Sequence, residues 1–246
     1  MKNITICSAG ASPALDAARR ALADKFHIVE RPAPDVTHLL LPVPTFERDG
    51  RIKGGGILEN ILADLPENLT IIGGNLQHPA LAGYPCIDLL QDGQYVAMNA
   101  AFTADCAIRV LGAHLPECFD GCPILVIGWG RIGKCLAAKL KALGAKVAVA
   151  ARKPQDRNML RALGYDTENT QALTGHYRAI LNTVPAPILT QADIPRKTVR
   201  IELASAPGLS GSGVVDARGL PGKMVPESSG RLIAQSIAKI LEERRI

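Results

Sequence analysis

The chain has 246 residues, 47% hydrophobic and 21% charged, with a formal net charge of +5. That length allows one large domain or two modest ones, each with a real core. The basic residues are mild in excess and spread along the chain rather than massed with aromatics, so a nucleic-acid partner is not expected. No uninterrupted apolar run approaches the roughly 20 residues of a membrane span, and the N-terminus carries no signal-peptide core, so a cytoplasmic protein without a membrane partner is expected.

The first third alternates strands and helices. Residues 3–7 read as a strand, 8–12 as a small-residue turn, and 13–24 as a helix opened by Pro13. Strand candidates follow at 27–30, 38–41 and 70–73, with a short helix at 58–65 and Pro and Gly between them. This part resembles a small flavodoxin-like or half-Rossmann domain without a glycine-rich phosphate turn of its own. Next, 94–115 has few breakers and sets Val96, Ala100, Thr103, Ala107 and Val110 at intervals of three and four, as one linking helix.

The most informative stretch runs from Pro123 to Lys153. An apolar run, Ile124 to Ile127, ends in Gly128-Trp129-Gly130-Arg131-Ile132-Gly133. Apolar residues then recur at Ile132, Leu136, Leu140 and Leu143, Gly144 stops the helix, and residues 146–151 supply a second buried strand. Strand, glycine turn, helix and parallel strand form the βαβ unit that binds a dinucleotide. The first glycine makes the turn, the second lets the pyrophosphate approach, the third lets helix and strand pack closely, and the helix N-terminus offers free amides. At the end of the second strand, where an NAD site would usually present an acid to the ribose, stand Arg152 and Lys153. Two cations there favour the 2′-phosphate of NADP, with NAD as the alternative.

Beyond this unit the reading gives a helix at 158–163, a strand at 179–182, a short helix starting near Pro187 and a strand at 199–203. Asn182-Thr183-Val184-Pro185 falls just past the carboxyl end of its strand, where open parallel sheets hold ligands, and is expected to meet the nicotinamide half of the cofactor. Residues 219–223 read as a rigid Pro-Gly loop. Residues 227–245 form a final helix, with its apolar stripe expected to cross back onto the first domain.

Six cysteines at 7, 86, 106, 118, 122 and 135 lack zinc or disulfide spacing, so no metal is expected. Five histidines show no triad pattern, and only His78 is placed near a cleft. Hydride transfer is the reaction class that remains. Asn99 and Thr103 on the linking helix, Ser205 and the cation Lys223 are the candidates for binding and orienting a carboxylate substrate; Arg131 is also placed to do so, but binding the cofactor pyrophosphate is its preferred role.

These segments resemble the A subunit of dipicolinate synthase from spore-forming bacteria, over about three fifths of the chain. The resemblance rests on Asn99 with Thr103-Ala104, the Gly128 to Gly133 turn, Leu143-Gly144-Ala145, Ala151-Arg152, Asn182 to Pro185, Leu203-Ala204-Ser205 with Pro207-Gly208, and Gly219 to Lys223 with Pro226. It implies a NAD(P)-linked oxidation of dihydrodipicolinate to pyridine-2,6-dicarboxylate during spore formation. It also implies a second, flavoprotein-like dipicolinate synthase subunit as partner, and kinship with D-2-hydroxyacid dehydrogenase-type Rossmann proteins. The chain departs from the family pattern at Ser8 to Ser12, at Ala206 and at Leu209 to Ser212. A non-catalytic NADP-binding sensor or scaffold, or a dehydrogenase of another small carboxylate, is the alternative.

The expected fold class is therefore α/β: a doubly wound Rossmann domain at 119–226, an N-terminal α/β domain at 1–94 completed by the helix at 227–246, and a linking helix at 95–118. A homo-oligomer is expected.

Overall fold

The computed structural model describes residues 4–189 and 197–243. Its contacts divide the chain into two units, Met1–Asn99 with Pro221–Ile246, and Ala100–Leu220.

Unit 1 is built on strands β1 (Thr5–Ser8), β2 (His27–Val29), β3 (His38–Leu40), β4 (Thr70–Gly73) and β5 (Cys86–Asp88). All pair in parallel, in the order β2-β1-β3-β4-β5, which is the flavodoxin-like winding. Helix α1 (Pro13–Leu22) starts where Ser12 accepts a hydrogen bond from the Leu15 amide, with Pro at its first position. Leu39, Leu41 and Ile71 pack with Leu58 and Leu62 of α2 (Leu58–Ala63) into one fully buried cluster. On α1, Ala14, Ala17 and Ala18 are buried against the last helix, α7 (Pro226–Glu243). A Cβ at Gly230 would lie 2.4 Å from that of Ala17, so only glycine permits this crossing.

Unit 2 contains β6 (Pro123–Ile127), β7 (Lys146–Ala150), β8 (Asp166–Glu168), β9 (Ala179–Asn182), β10 (Val199–Glu202) and β11 (Val214–Asp216). The sheet is parallel throughout, in the order β11-β10-β9-β6-β7-β8. Counted from β6 as the first strand, that is the doubly wound Rossmann order, whose switch point lies between β6 and β9. Helix α4 (Arg131–Ala142) connects β6 to β7, and α5 (Pro154–Ala162) connects β7 to β8. Gly144, at φ +85°, ends α4 in the left-handed conformation, and the Ala145 amide closes back on Leu140 O at 3.1 Å.

Helix α3 (Gly93–His114) passes from one unit into the other, the division falling after Asn99. By length and composition alone α3 passes as a helix able to cross a membrane, although polar and charged residues interrupt its apolar run throughout. Its buried face is a run of Ala100, Ala104, Ala107 and Leu111, and Asp105 on it pairs with Lys139 at 2.8 Å.

Three local readings are corrected. The helix expected from 158 begins four residues earlier, because Pro154 occupies its first position. The Pro-Gly loop at 219–223 is instead a short helix, α6 (Leu220–Met224), in which Pro221 sits in the first turn, where its missing N–H costs nothing. The chain near Pro187 is not helical as far as Leu189, which pairs with Leu209 in a parallel bridge; the rest of that expected helix lies outside the described residues.

Candidate functional site: the cleft at the carboxyl ends of β6 and β7

The apolar residues of β6 are wholly buried up to Ile127, after which the chain turns at Gly128 with φ +106°. Only glycine adopts that angle without strain, and a Cβ there would also lie 2.4 Å from Thr183 Oγ1. At Gly133 a Cβ would meet the Gly128 carbonyl oxygen at 2.1 Å, so the third glycine lets α4 lie against the turn. Gly130 differs from both. A Cβ there would meet nothing within 4 Å, so the protein's own packing does not require glycine at that place.

Gly130 is also the N-cap of α4, and no side chain caps the helix. The first amides of α4 therefore point at open space at the positive end of the helix dipole. The cleft in front of them has a volume of about 780 Å³ and is lined by Gly128, Trp129, Gly130, Arg152, Lys153, Val184 and Pro185, among others. A cradle that needs glycine for no internal reason, uncapped amides and two exposed cations at its far wall fit a dinucleotide with its pyrophosphate on α4. These residues would hold the cofactor; the group itself would accept or donate the hydride.

The remaining candidates divide. Arg131, Ile132 and Gly133 open α4, with Arg131 exposed and Gly133 buried. Asn182 is fully buried and its amide turns inward, donating to Val184 O at 2.9 Å and to Glu202 Oε1 at 2.9 Å. Thr183 donates from Oγ1 to Ile127 O at 2.8 Å. These two side chains shape the wall under Gly128, while Val184 and Pro185 form its surface. Ser205 is exposed on the β10–β11 connection and does not line the cleft. Asn99 is half-buried and Thr103 buried on α3, one turn apart, both with partners of their own. Lys223 is exposed on α6 in unit 1. His78 accepts the Ala80 amide at 3.2 Å through Nδ1 and stacks on Phe46 at 5.0 Å, which makes it a turn cap in unit 1.

Sequence reading missed four contributors. Asp156, in the first turn of α5, and Thr170 with Gln171 also line the cleft. Arg157 does not line it but ties down the cationic turn, donating to Ala151 O at 2.8 Å and Arg152 O at 2.7 Å. An arginine one helical turn past a Pro-started helix was the available signal for Arg157; Thr170 and Gln171 lie on a loop with no periodicity to mark it. Among the described residues no group of three or more His, Cys, Asp or Glu is placed to hold a metal.

Fold and cleft together define a two-unit α/β protein of the dehydrogenase type with a Rossmann nucleotide-binding unit. Residues 113–200 match the family described as D-isomer specific 2-hydroxyacid dehydrogenase, NAD binding domain, which supports a nicotinamide cofactor and an oxidoreductase-like function. The chain is similar to the A subunit of dipicolinate synthase of Bacillus subtilis (strain 168), 27% identical over 246 residues, covering 90% of this chain and 83% of the relative. Among solved structures, the A subunit of dipicolinate synthase from Bacillus halodurans superposes with a TM-score of 0.84 at 22% identity, covering 97% of this chain and 98% of that one. A transhydrogenase from Sinorhizobium meliloti follows at 0.68 and 13% identity, covering 98% and 94%. The resemblance drawn from the sequence motifs thus holds across most of the chain, and the two solved structures bear on the fold alone.

Proposed function

We propose that the chain is an NADP-preferring oxidoreductase subunit of the dipicolinate synthase type, oxidising dihydrodipicolinate to pyridine-2,6-dicarboxylate in the cytoplasm of sporulating cells. In that reaction a hydride leaves the ring carbon for the nicotinamide and a proton goes to solvent, with aromatisation supplying the driving force. The observation that carries the reading is the pairing of an open Gly130 with Arg152 and Lys153 across one cleft. The amides of α4 bind the diphosphate, Arg152 and Lys153 meet the 2′-phosphate, and Val184 and Pro185 shield the nicotinamide from water. Asp156 is the one carboxylate on this wall among the described residues, and it offers a ribose hydroxyl an acceptor.

Asn99, Thr103, Ser205 and Lys223 are assigned to the substrate, a small dicarboxylate. The Bacillus subtilis relative is by name one subunit of a synthase, which supports a second dipicolinate synthase subunit as partner. A homo-oligomer belongs to the same proposal. The second reading, a NADP-sensing or scaffolding protein without turnover, is favoured by one observation: Asn182 and Thr183, expected to face the nicotinamide, spend their side chains on the protein. Dihydrodipicolinate-dependent reduction of NADP, assayed with and without the second synthase subunit, separates them. Turnover supports the enzyme; NADP binding without turnover in either condition supports the sensor.

A further inference from the structure

The cations of the cleft stand on a turn that the sheet itself does not hold. β7 stops at Ala150, whose carbonyl accepts the Gly128 amide at 2.9 Å, and the last ladder bond beyond it runs from the Ala151 amide to Glu168 O at 3.1 Å. The chain then leaves the sheet, and Pro154, at the start of α5, has no amide to give. The carbonyls of Ala151 and Arg152 must find their donors elsewhere.

One residue meets this need. Arg157, at the end of the first turn of α5, donates from Nη1 to Ala151 O at 2.8 Å and to Arg152 O at 2.7 Å. Its own amide donates to Lys153 O at 3.2 Å. Three successive carbonyls, those of residues 151, 152 and 153, are thus gathered by a single residue. All three residues line the dinucleotide cleft, whereas Arg157 is half-buried and does not line it.

This arrangement bears on a phosphate in two ways. Arg152 and Lys153 are exposed and flexible, so a fixed backbone beneath them lowers the ordering cost when they close on an anion. Carbonyl oxygens carry partial negative charge and repel a phosphate, and here each is turned to an N–H of Arg157 instead. NAD has only a hydroxyl where NADP has the 2′-phosphate, so both effects fall on NADP.

We propose that Arg157 is a positioning residue for cofactor choice: by binding the carbonyls of residues 151–153 it sets Arg152 and Lys153 for the 2′-phosphate and so makes the cleft discriminate NADP from NAD. The inference rests on the NADP preference proposed above and names the residue that enforces it.

Calorimetry on the full chain with NADP and with NAD tests it. The wild type binds NADP more tightly. Arg157→Met should cut that preference by about fivefold or more, through NADP alone, with NAD within a factor of two or so. Should Arg157→Met unfold, Arg157→Gln carries the test, with the same loss expected. Arg161→Met removes an exposed cation one turn further along α5, bonded to Asn158 at 2.8 Å, and should leave both affinities unchanged. In a background of Arg152→Ala with Lys153→Ala, adding Arg157→Met should change NADP binding by about twofold or less, because Arg157 acts through those side chains.

An unchanged preference in Arg157→Met, an equal loss for both nucleotides, a matching loss in Arg161→Met, or the full loss persisting without Arg152 and Lys153 overturns the positioning role while the NADP reading stands. A wild type that binds NAD as tightly as NADP overturns that reading, and the positioning role with it.

Discussion

The carboxylate of Glu202, 3% exposed, is the anchor of Asn182, accepting its amide nitrogen at 2.9 and 3.1 Å. The same carboxylate accepts the backbone amides of Ala204 at 2.9 Å, Gly208 at 2.7 Å and Leu209 at 3.0 Å. One buried acid therefore holds the loop after β10 against the end of β9, directly beneath the cleft wall. Glu202→Ala leaves those buried donors unpaired and should cost on the order of 3 kcal/mol in urea unfolding. A stability change well below about 1 kcal/mol would contradict the anchoring role.

Arg152 is exposed at the cleft, so its removal should leave stability nearly unchanged. Arg152→Ala should weaken NADP by about tenfold, the loss of a charge-assisted contact to phosphate, while NAD affinity stays within a factor of two or so. Calorimetry with both nucleotides checks this. Equal loss for both would refute the 2′-phosphate role.

Stability at alkaline pH should depend on Tyr177. Burial first, then the hydrogen bond to Glu168 at 2.8 Å and its charge, push the phenol above the ordinary tyrosine value. The folded chain therefore keeps this proton at a pH where the unfolded chain releases it, so the contribution is whole below about pH 10 and is lost as pH rises through the folded value. Tyr177→Phe should be less stable than wild type at neutral pH and show a shallower alkaline decline in thermal melts; parallel declines would contradict the assignment.

Thiol reactivity should divide by burial. The thiols of Cys7, Cys86, Cys106 and Cys122 are each pushed upward first by burial, whereas Cys118 is exposed and Cys135 half-exposed. At neutral pH a chromogenic disulfide should modify Cys118 and Cys135 rapidly, Cys86, half-buried with its thiol pushed upward, more slowly, and Cys7, Cys106 and Cys122 only on unfolding. Rapid reaction of Cys7 or Cys106, both buried, would show that unit 1 or α3 opens more readily than its packing implies.

The parts legible in the sequence are those fixed by backbone geometry. Gly128, Gly133 and the stop at Gly144 each reflect a steric demand that only glycine meets, and the apolar run of β6 reflects burial on both faces. Short, polar edge strands were not legible: β5 (Cys86–Asp88), β8 (Asp166–Glu168) and β11 (Val214–Asp216) have three residues each and take their identity from the neighbour they pair with. The direction of a polar side chain was equally hidden. Asn182 and Thr183 stand at the end of β9 as expected, but whether they face a ligand or the protein is decided by Glu202 and by Ile127 O, which lie 20 and 56 residues away.

The central claim is that a nicotinamide dinucleotide lies on the turn at Gly130, and the chain's only tryptophan, Trp129, lines that cleft. The most direct measurement is a titration of NADPH against Trp129 emission, in the wild type and in Gly130→Ala, whose added methyl meets no protein atom within 4 Å. Saturable quenching with energy transfer to NADPH is predicted for the wild type. In Gly130→Ala the affinity should fall at least tenfold or so with about 1 kcal/mol or less lost in stability, because the methyl occupies the place of the pyrophosphate. Unchanged emission with both NADPH and NADH, or equal affinity in the two proteins, would contradict the account.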